Sequence, residues 1–322
     1  FREDRNHREL CFQFNRRFLV YFAVDLFEIA MATQLNGDKT FFLPFNQGSG
    51  GAGNVGGSGN PENPDGYNTS YLWENVLAKE SLLNIIQRFL HVSIEKKKIT
   101  KDGKDTYKTS KKLIFPRYHQ LDVVTKIMDD VKRNGSGKNY LIQHSAGSGK
   151  SNSIAWSSYR LASLHDECNN SIFTSVIVVT DRKVLDSQLQ DTISSFDHTF
   201  GLVETIGDGK SSKDLRDAIN DGKKIIVTTL QKFPVIYEEI ESNKGKRFAI
   251  IVDEAHSSQT GSSAQKLKTA LADSEEALLE YERIEGEEEA KEEDFEDKLV
   301  KELLSHGRHK NLSFFAFTAT PK

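Results

Sequence analysis

The chain has 322 residues and a mass of 36.3 kDa, about twice an ordinary domain, and at 37% hydrophobic it carries too much apolar material for a disordered chain. Two cysteines exclude a disulfide framework, and the longest apolar run, residues 18–24, is stopped by Asp25 and Glu28 far short of a membrane span. With no signal-peptide pattern either, the composition predicts a cytoplasmic protein with no membrane partner.

The net charge of −4 conceals a division of the chain. Fourteen acidic and two basic residues between Asp273 and Asp297 leave a balance of +8 for everything else. A basic body of that kind can meet phosphate backbones if the acidic stretch points elsewhere. The stretch itself, with Leu278, Leu279, Tyr281 and Ile284 as a narrow apolar stripe, reads as a solvated helix inserted at a domain edge.

In chain order, residues 17–45 read as strands, with apolar runs at 18–24 and 40–45 and Asn36-Gly37 as a hairpin turn. Residues 47–66 hold eight of the 22 glycines together with Pro61 and Pro64, and predict a mobile loop. Its Gly51-Ala52-Gly53-Asn54-Val55-Gly56 matches G-x-G-x-x-G, but no helix can begin at Ser58-Gly59-Asn60-Pro61, so a dinucleotide site is rejected. Residues 72–90 recover helical periodicity and predict two short helices. Lysines then crowd residues 96–112 with no apolar period, which places a linker at 96–114 between domains at 1–95 and 115–322. Asp65 and Glu95-Lys96-Lys97 imitate a metal nuclease, yet one lies in the loop and the other enters the linker, so the linker reading is preferred.

Beyond Phe115, β-branched runs at residues 140–142, 175–180, 224–229, 248–252 and 313–317 alternate with helical segments. Four lack inside/outside alternation, as strands buried on both faces should. The class is α/β with a parallel sheet flanked by helices.

The strongest chemical signal is Ser145-Ala146-Gly147-Ser148-Gly149-Lys150-Ser151, between the first of these strands and a helix. Glycines turn backbone N–H groups toward phosphates, Lys150 neutralises the β/γ oxygens, and Ser151 reaches Mg²⁺. His144 stands where the first glycine of G-x-x-x-x-G-K-[ST] belongs. A second signal, Asp253-Glu254-Ala255-His256, ends the apolar run 248–252, so that Asp253 can hold Mg²⁺ and Glu254 can polarise the attacking water. Both motifs terminate strands, which specifies a P-loop NTPase using ATP and Mg²⁺. Arg117 and Gln120 precede the loop, and polar clusters at Asp181-Arg182, Thr228-Thr229 and Thr318-Ala319-Thr320 close three further strands.

This series resembles superfamily 2 helicases and translocases, with RecA-like domains. Residues 17–25, residues 35–46, the glycine loop, Tyr71-Leu72-Trp73-Glu74 and the tract 256–261 are similar to the restriction (R) subunit of type I restriction-modification enzymes. Ser257 departs from the basic residue that relatives often carry there.

The resemblance implies an ATP-driven motor on double-stranded DNA, a nuclease that cuts remotely, and assembly with methyltransferase (M) and specificity (S) subunits. It implies that residues 1–95 are the end of a nuclease domain whose carboxylates precede Phe1. It further implies adenine contact by Gln120 with Arg117, phosphate binding by residues 145–151, and hydrolysis by Lys150, Asp253 and Glu254. Ser151 and Asp253 are the metal ligands, while His256, Gln259, Thr318, Ala319 and Thr320 couple the ATP state to DNA. Arg182, Thr228 and Thr229 are the DNA-backbone contacts. An arginine from a second lobe beyond Lys322 is expected to complete the site, so these 322 residues should bind ATP with little turnover. The rival readings are a DEAH-type RNA helicase, a type III restriction subunit, and a non-catalytic assembly module.

Overall fold

A computed structural model of the chain describes residues 6–101, 104–145, 147–180, 189, 192–196, 201–207, 210–229, 245–253 and 310–320. The chain divides into two compact units, Phe1–Thr125 and Lys126–Lys322.

In the first unit β1 (Tyr21–Val24), β2 (Ile29–Ala32) and β3 (Leu43–Pro44) form an antiparallel sheet in that order. The chain reverses between β1 and β2 at Asp25, whose Oδ1 accepts from the N–H groups of Phe27 and Glu28 at 2.7 Å each. That is an aspartate side chain satisfying turn donors. The turn expected at Asn36-Gly37 lies instead inside the longer β2–β3 connection, where Gly37 sits at φ 54° and the Thr40 hydroxyl accepts from the Asn36 N–H at 2.8 Å.

The glycine-rich segment, predicted mobile, is closed by hydrogen bonds. Gly48 N–H donates to Gly59 O at 2.9 Å and Ser49 N–H to Gly57 O at 3.0 Å, while Asn60 accepts from Gln47 N–H and donates to Phe27 O, both at 2.8 Å. Glycine composition marks the turns but not the asparagine that ties the loop to the β1–β2 turn. No helix begins at residues 58–61.

A single π turn (Leu72–Val76) and α1 (Lys79–Arg88) are the two short helical pieces. The lysine-rich segment expected to be a connector is a pair of antiparallel strands, β4 (His91–Lys101) and β5 (Lys104–Ile114). The core of this unit gathers on Phe45, fully buried, with ring centroids of Phe22, Phe115 and Tyr118 at 5.2, 6.3 and 5.8 Å. Burial, helped by the nearby Asp122 carboxylate, pushes the Tyr118 hydroxyl up to about 12.

The second unit holds one six-stranded parallel sheet. Its strands are β6 (Tyr140–Ser145), β7 (Ser175–Thr180), β8 (Val203–Ile206), β9 (Ile225–Thr229), β10 (Phe248–Asp253) and β11 (Leu312–Thr320). The order across the sheet is β6-β11-β10-β7-β9-β8, with every neighbouring pair parallel. This is the RecA-like α/β class. The runs without alternation are buried throughout: residues 176–179, 225–227 and 248–251 all have 0% exposure.

Helix α2 (Tyr118–Asn134) precedes β6, and α3 (Lys150–Ala162) packs on β7, β9 and β10, burying Trp156. Helix α4 (Ser212–Asn220) is started by a capping box between Ser211 and Asp214. Strand β8 is absent from the expected set because it is a half-buried edge strand carrying Glu204 and Thr205, with no apolar run to mark it.

Candidate nucleotide-binding site

In lateral register Ile142, Phe317, Asp253, Thr180 and Thr229 stand side by side on β6, β11, β10, β7 and β9. This row marks the C-terminal edge of the sheet, where open α/β folds bind ligands.

Strand β6 runs one register row past Ala319 to pair Ser145 with Thr320, after which the chain turns tightly into α3. Gly147 and Gly149 hold φ 74° and 83°, left-handed values that favour glycine, and Ser148 N–H closes the turn on Ser145 O at 3.1 Å. Lys150 is the first residue of α3, so it and Ser151 lie in the first turn, where backbone N–H groups have no intrahelical acceptor. A helix start of this kind favours anions.

Across the sheet edge, the Lys150 ammonium meets the Asp253 carboxylate at 2.8 Å, with both side chains about one-sixth exposed. The two residues are 103 positions apart in sequence: Lys150 opens the helix that follows β6, Asp253 ends β10, and β11 lies between those two strands. Partial burial strengthens the pair relative to a surface ion pair, because fewer water dipoles screen it.

His144 answers the question raised by the missing glycine. It lies inside β6, so its backbone is extended and needs no glycine. Its side chain is buried, with Nδ1 2.9 Å from Ser148 Oγ and its ring 5.9 Å from that of Phe317. The imidazole therefore joins the phosphate loop to β11. In the sequence His144 stands out only as a departure from the pattern, and nothing there marks Phe317 as its neighbour.

Other expected residues are placed as follows. Thr318 is buried in β11 opposite Gln143, and Ala319 and Thr320 follow it within the strand. Thr228 is wholly buried, its carbonyl 3.5 Å from the Thr180 hydroxyl, whereas Thr229 is half-buried; of this pair, Thr229 is the side chain that reaches the surface. Gln120 and Arg117 belong to the first unit. The Gln120 Oε1 accepts from the Arg117 N–H at 2.8 Å, the return half of a capping box at the start of α2. Burial lowers the pKa of the Arg117 guanidinium. Ala146, Asp181, Arg182, Glu254, His256, Gln259 and the acidic stretch 273–297 lie outside the described residues.

A phosphate-cradling turn, a helix start and a lysine–aspartate pair at one sheet edge are the layout of a nucleotide hydrolase. Residues 119–278 match the SWI2/SNF2 ATPase family.

The chain also resembles endonuclease subunits of type I restriction enzymes. It is 25% identical over 207 residues to the C-terminal part of the putative type I restriction enzyme MpnIIP endonuclease of Mycoplasma pneumoniae, covering 59% of this chain and 88% of that one. It is 31% identical over 199 residues to the type I restriction enzyme HindI endonuclease subunit of Haemophilus influenzae, where the match covers 59% of this chain and 17% of the relative. Among the described residues, no helix is long and apolar enough to cross a membrane.

The donors suit magnesium: a serine hydroxyl at Ser151 and a carboxylate at Asp253 are hard oxygen ligands of the type Mg²⁺ takes beside phosphate oxygens. When bound there, the ion would neutralise charge on the β and γ phosphates.

Proposed function

We propose that this chain is part of the restriction subunit of a type I restriction enzyme, in which ATP binding and hydrolysis are coupled to translocation of duplex DNA and to remote cleavage. The observation that carries the reading is the 2.8 Å approach of Lys150 to Asp253 at the edge that also bears the phosphate loop. Lys150 and the first-turn N–H groups of α3 grip the triphosphate. Ser151 and Asp253 hold the metal, and Glu254, next in sequence, orients water. Gln120 with Arg117 addresses the base.

Strand β11 lies between the two motif strands, which supports a coupling role for Thr318, Ala319 and Thr320: a shift at the phosphates is felt by the strand they share. His256 and Gln259 extend that coupling, and Arg182 and Thr229 face the DNA backbone, with Thr228 supporting them from the sheet. Residues 1–95 belong to the nuclease domain, the ATPase domain begins at residue 115, and the partners are the methyltransferase and specificity subunits.

The test is ATP binding and turnover with duplex DNA and with RNA. Lys150→Ala is expected to weaken ATP binding and to lower turnover by about 10² or more, and Glu254→Gln to abolish turnover with binding retained. Stimulation by RNA but not by duplex DNA would replace the reading with that of an RNA helicase. An unchanged Glu254→Gln enzyme would leave only an assembly module.

A further inference from the structure

The paired strands β4 and β5 carry eight lysines and only two acidic residues, Glu95 and Asp105, in two 11-residue strands. Their register sets Lys97 opposite Lys108 and Lys101 opposite Lys104. Alternation gathers Lys97, Lys101, Lys104, Lys108 and Lys112 on one face, where Glu95 is the single acid. Like charges directly opposite one another destabilise an antiparallel pair, and a two-stranded ribbon is marginal by itself. The base of the ribbon is anchored, with His91, Leu113 and the following Phe115 all buried. The opposed lysine pairs thus occupy register positions away from the anchored base.

We infer that the β4–β5 ribbon, by gathering five lysines on one face, is a contact for the phosphate backbone of duplex nucleic acid, made without selection of bases. Eleven residues extend about 37 Å, and the lysine-bearing rungs on this face, four residues apart, are spaced by about 14 Å. A duplex presents a negative charge every ~1.7 Å of its axis, so each lysine rung meets a phosphate. A two-stranded ribbon also fits the major groove. An acidic protein is the poorer occupant, because protein interfaces are depleted in lysine whereas nucleic-acid interfaces are strongly basic. The assignment is independent of the ATP site.

The experiment measures binding of a labelled random-sequence duplex to the 322-residue chain by anisotropy across a range of KCl concentrations. Combined Lys97→Gln, Lys101→Gln, Lys104→Gln and Lys108→Gln substitutions are expected to weaken binding at low salt by at least about tenfold. They should also reduce the slope of log K against log salt by about 3 to 4, near 0.9 per lost phosphate contact. The same four positions changed to arginine should restore both, which separates loss of contact from loss of fold. Four exposed lysines elsewhere, Lys39, Lys79, Lys126 and Lys132, changed to glutamine should move the slope much less. An equal effect of that control, an unchanged slope in the ribbon variant, absent duplex binding, or equally tight binding of polyglutamate would each overturn the inference. Binding of a fluorescent ATP analogue should be the same in the wild type and the ribbon variant. Its loss in Lys150→Ala with the salt slope retained separates the fate of the ATP-site reading from that of the ribbon.

Discussion

His144 occupies a position that the phosphate-loop pattern gives to glycine, and the structure makes the side chain an asset. Its Nδ1 is 2.9 Å from Ser148 Oγ inside the loop, and its ring lies beside Phe317 of β11. Removing one member of a buried polar contact costs about 1 kcal/mol or more, which is roughly a fivefold change in an equilibrium it supports. His144→Ala is therefore expected to weaken ATP binding by about that factor while thermal stability falls only modestly. Ser148→Ala should add little in the double variant, since the two side chains act as one unit; fully additive losses in titration calorimetry would contradict the pairing.

Asp130 is the second residue whose surroundings give a measurable consequence. Its carboxylate accepts from the Lys138 ammonium at 2.7 Å and the Tyr140 hydroxyl at 3.0 Å, fastening the last turns of α2 to the start of β6. The Lys138 hydrogen bond holds the Asp130 pKa below the ordinary carboxylate value, while burial and Asp130 together raise that of Tyr140. A carboxyl depressed in the folded state stabilises fully above its unfolded pKa, near 4, and its contribution is lost as pH falls through the folded value. Asp130→Asn should cost about 1 kcal/mol at neutral pH in urea unfolding, and the gap to wild type should close below about pH 4.

At the scale of elements, β11 is the strand on which the sheet and the site both depend. It pairs with the phosphate-loop strand on one side and with the Asp253 strand on the other. Phe315, fully buried, stacks on Tyr140 at 4.7 Å and meets Phe173 edge-on at 6.3 Å, so it ties three segments together. Phe315→Ala is expected to destabilise the second unit by about 3 to 5 kcal/mol, through lost burial and the cavity left behind. Because β11 spaces β6 from β10, the variant should also weaken ATP binding under conditions where circular dichroism still reports a folded sheet. Unaltered nucleotide affinity in the folded variant would mean that the strand does not position the site.

For the whole molecule, the legible part of the fold was the part written as burial. The unbroken runs at residues 175–180 and 248–252 announced strands covered on both faces, and the two motifs following residues 142 and 252 announced a site at strand ends. Residues that satisfy backbone groups at a distance were not legible. Asn60 tying the glycine loop to Phe27, and Gln120 capping its own helix, leave no periodic trace in the sequence. The lysine-rich segment misled for a related reason: its charge obscured an alternation that becomes visible only when β4 and β5 are set in register.

Taken alone, the order of residues determined the α/β class, the phosphate-binding turn and the carboxylate pair, because period, glycine placement and apolar runs are local properties of the chain. Only the tertiary structure decided that β11 inserts between β6 and β10, that Lys150 reaches Asp253, and that His144 meets Phe317. Which strands become neighbours depends on the summed packing of segments more than a hundred residues apart, and no local preference encodes that sum.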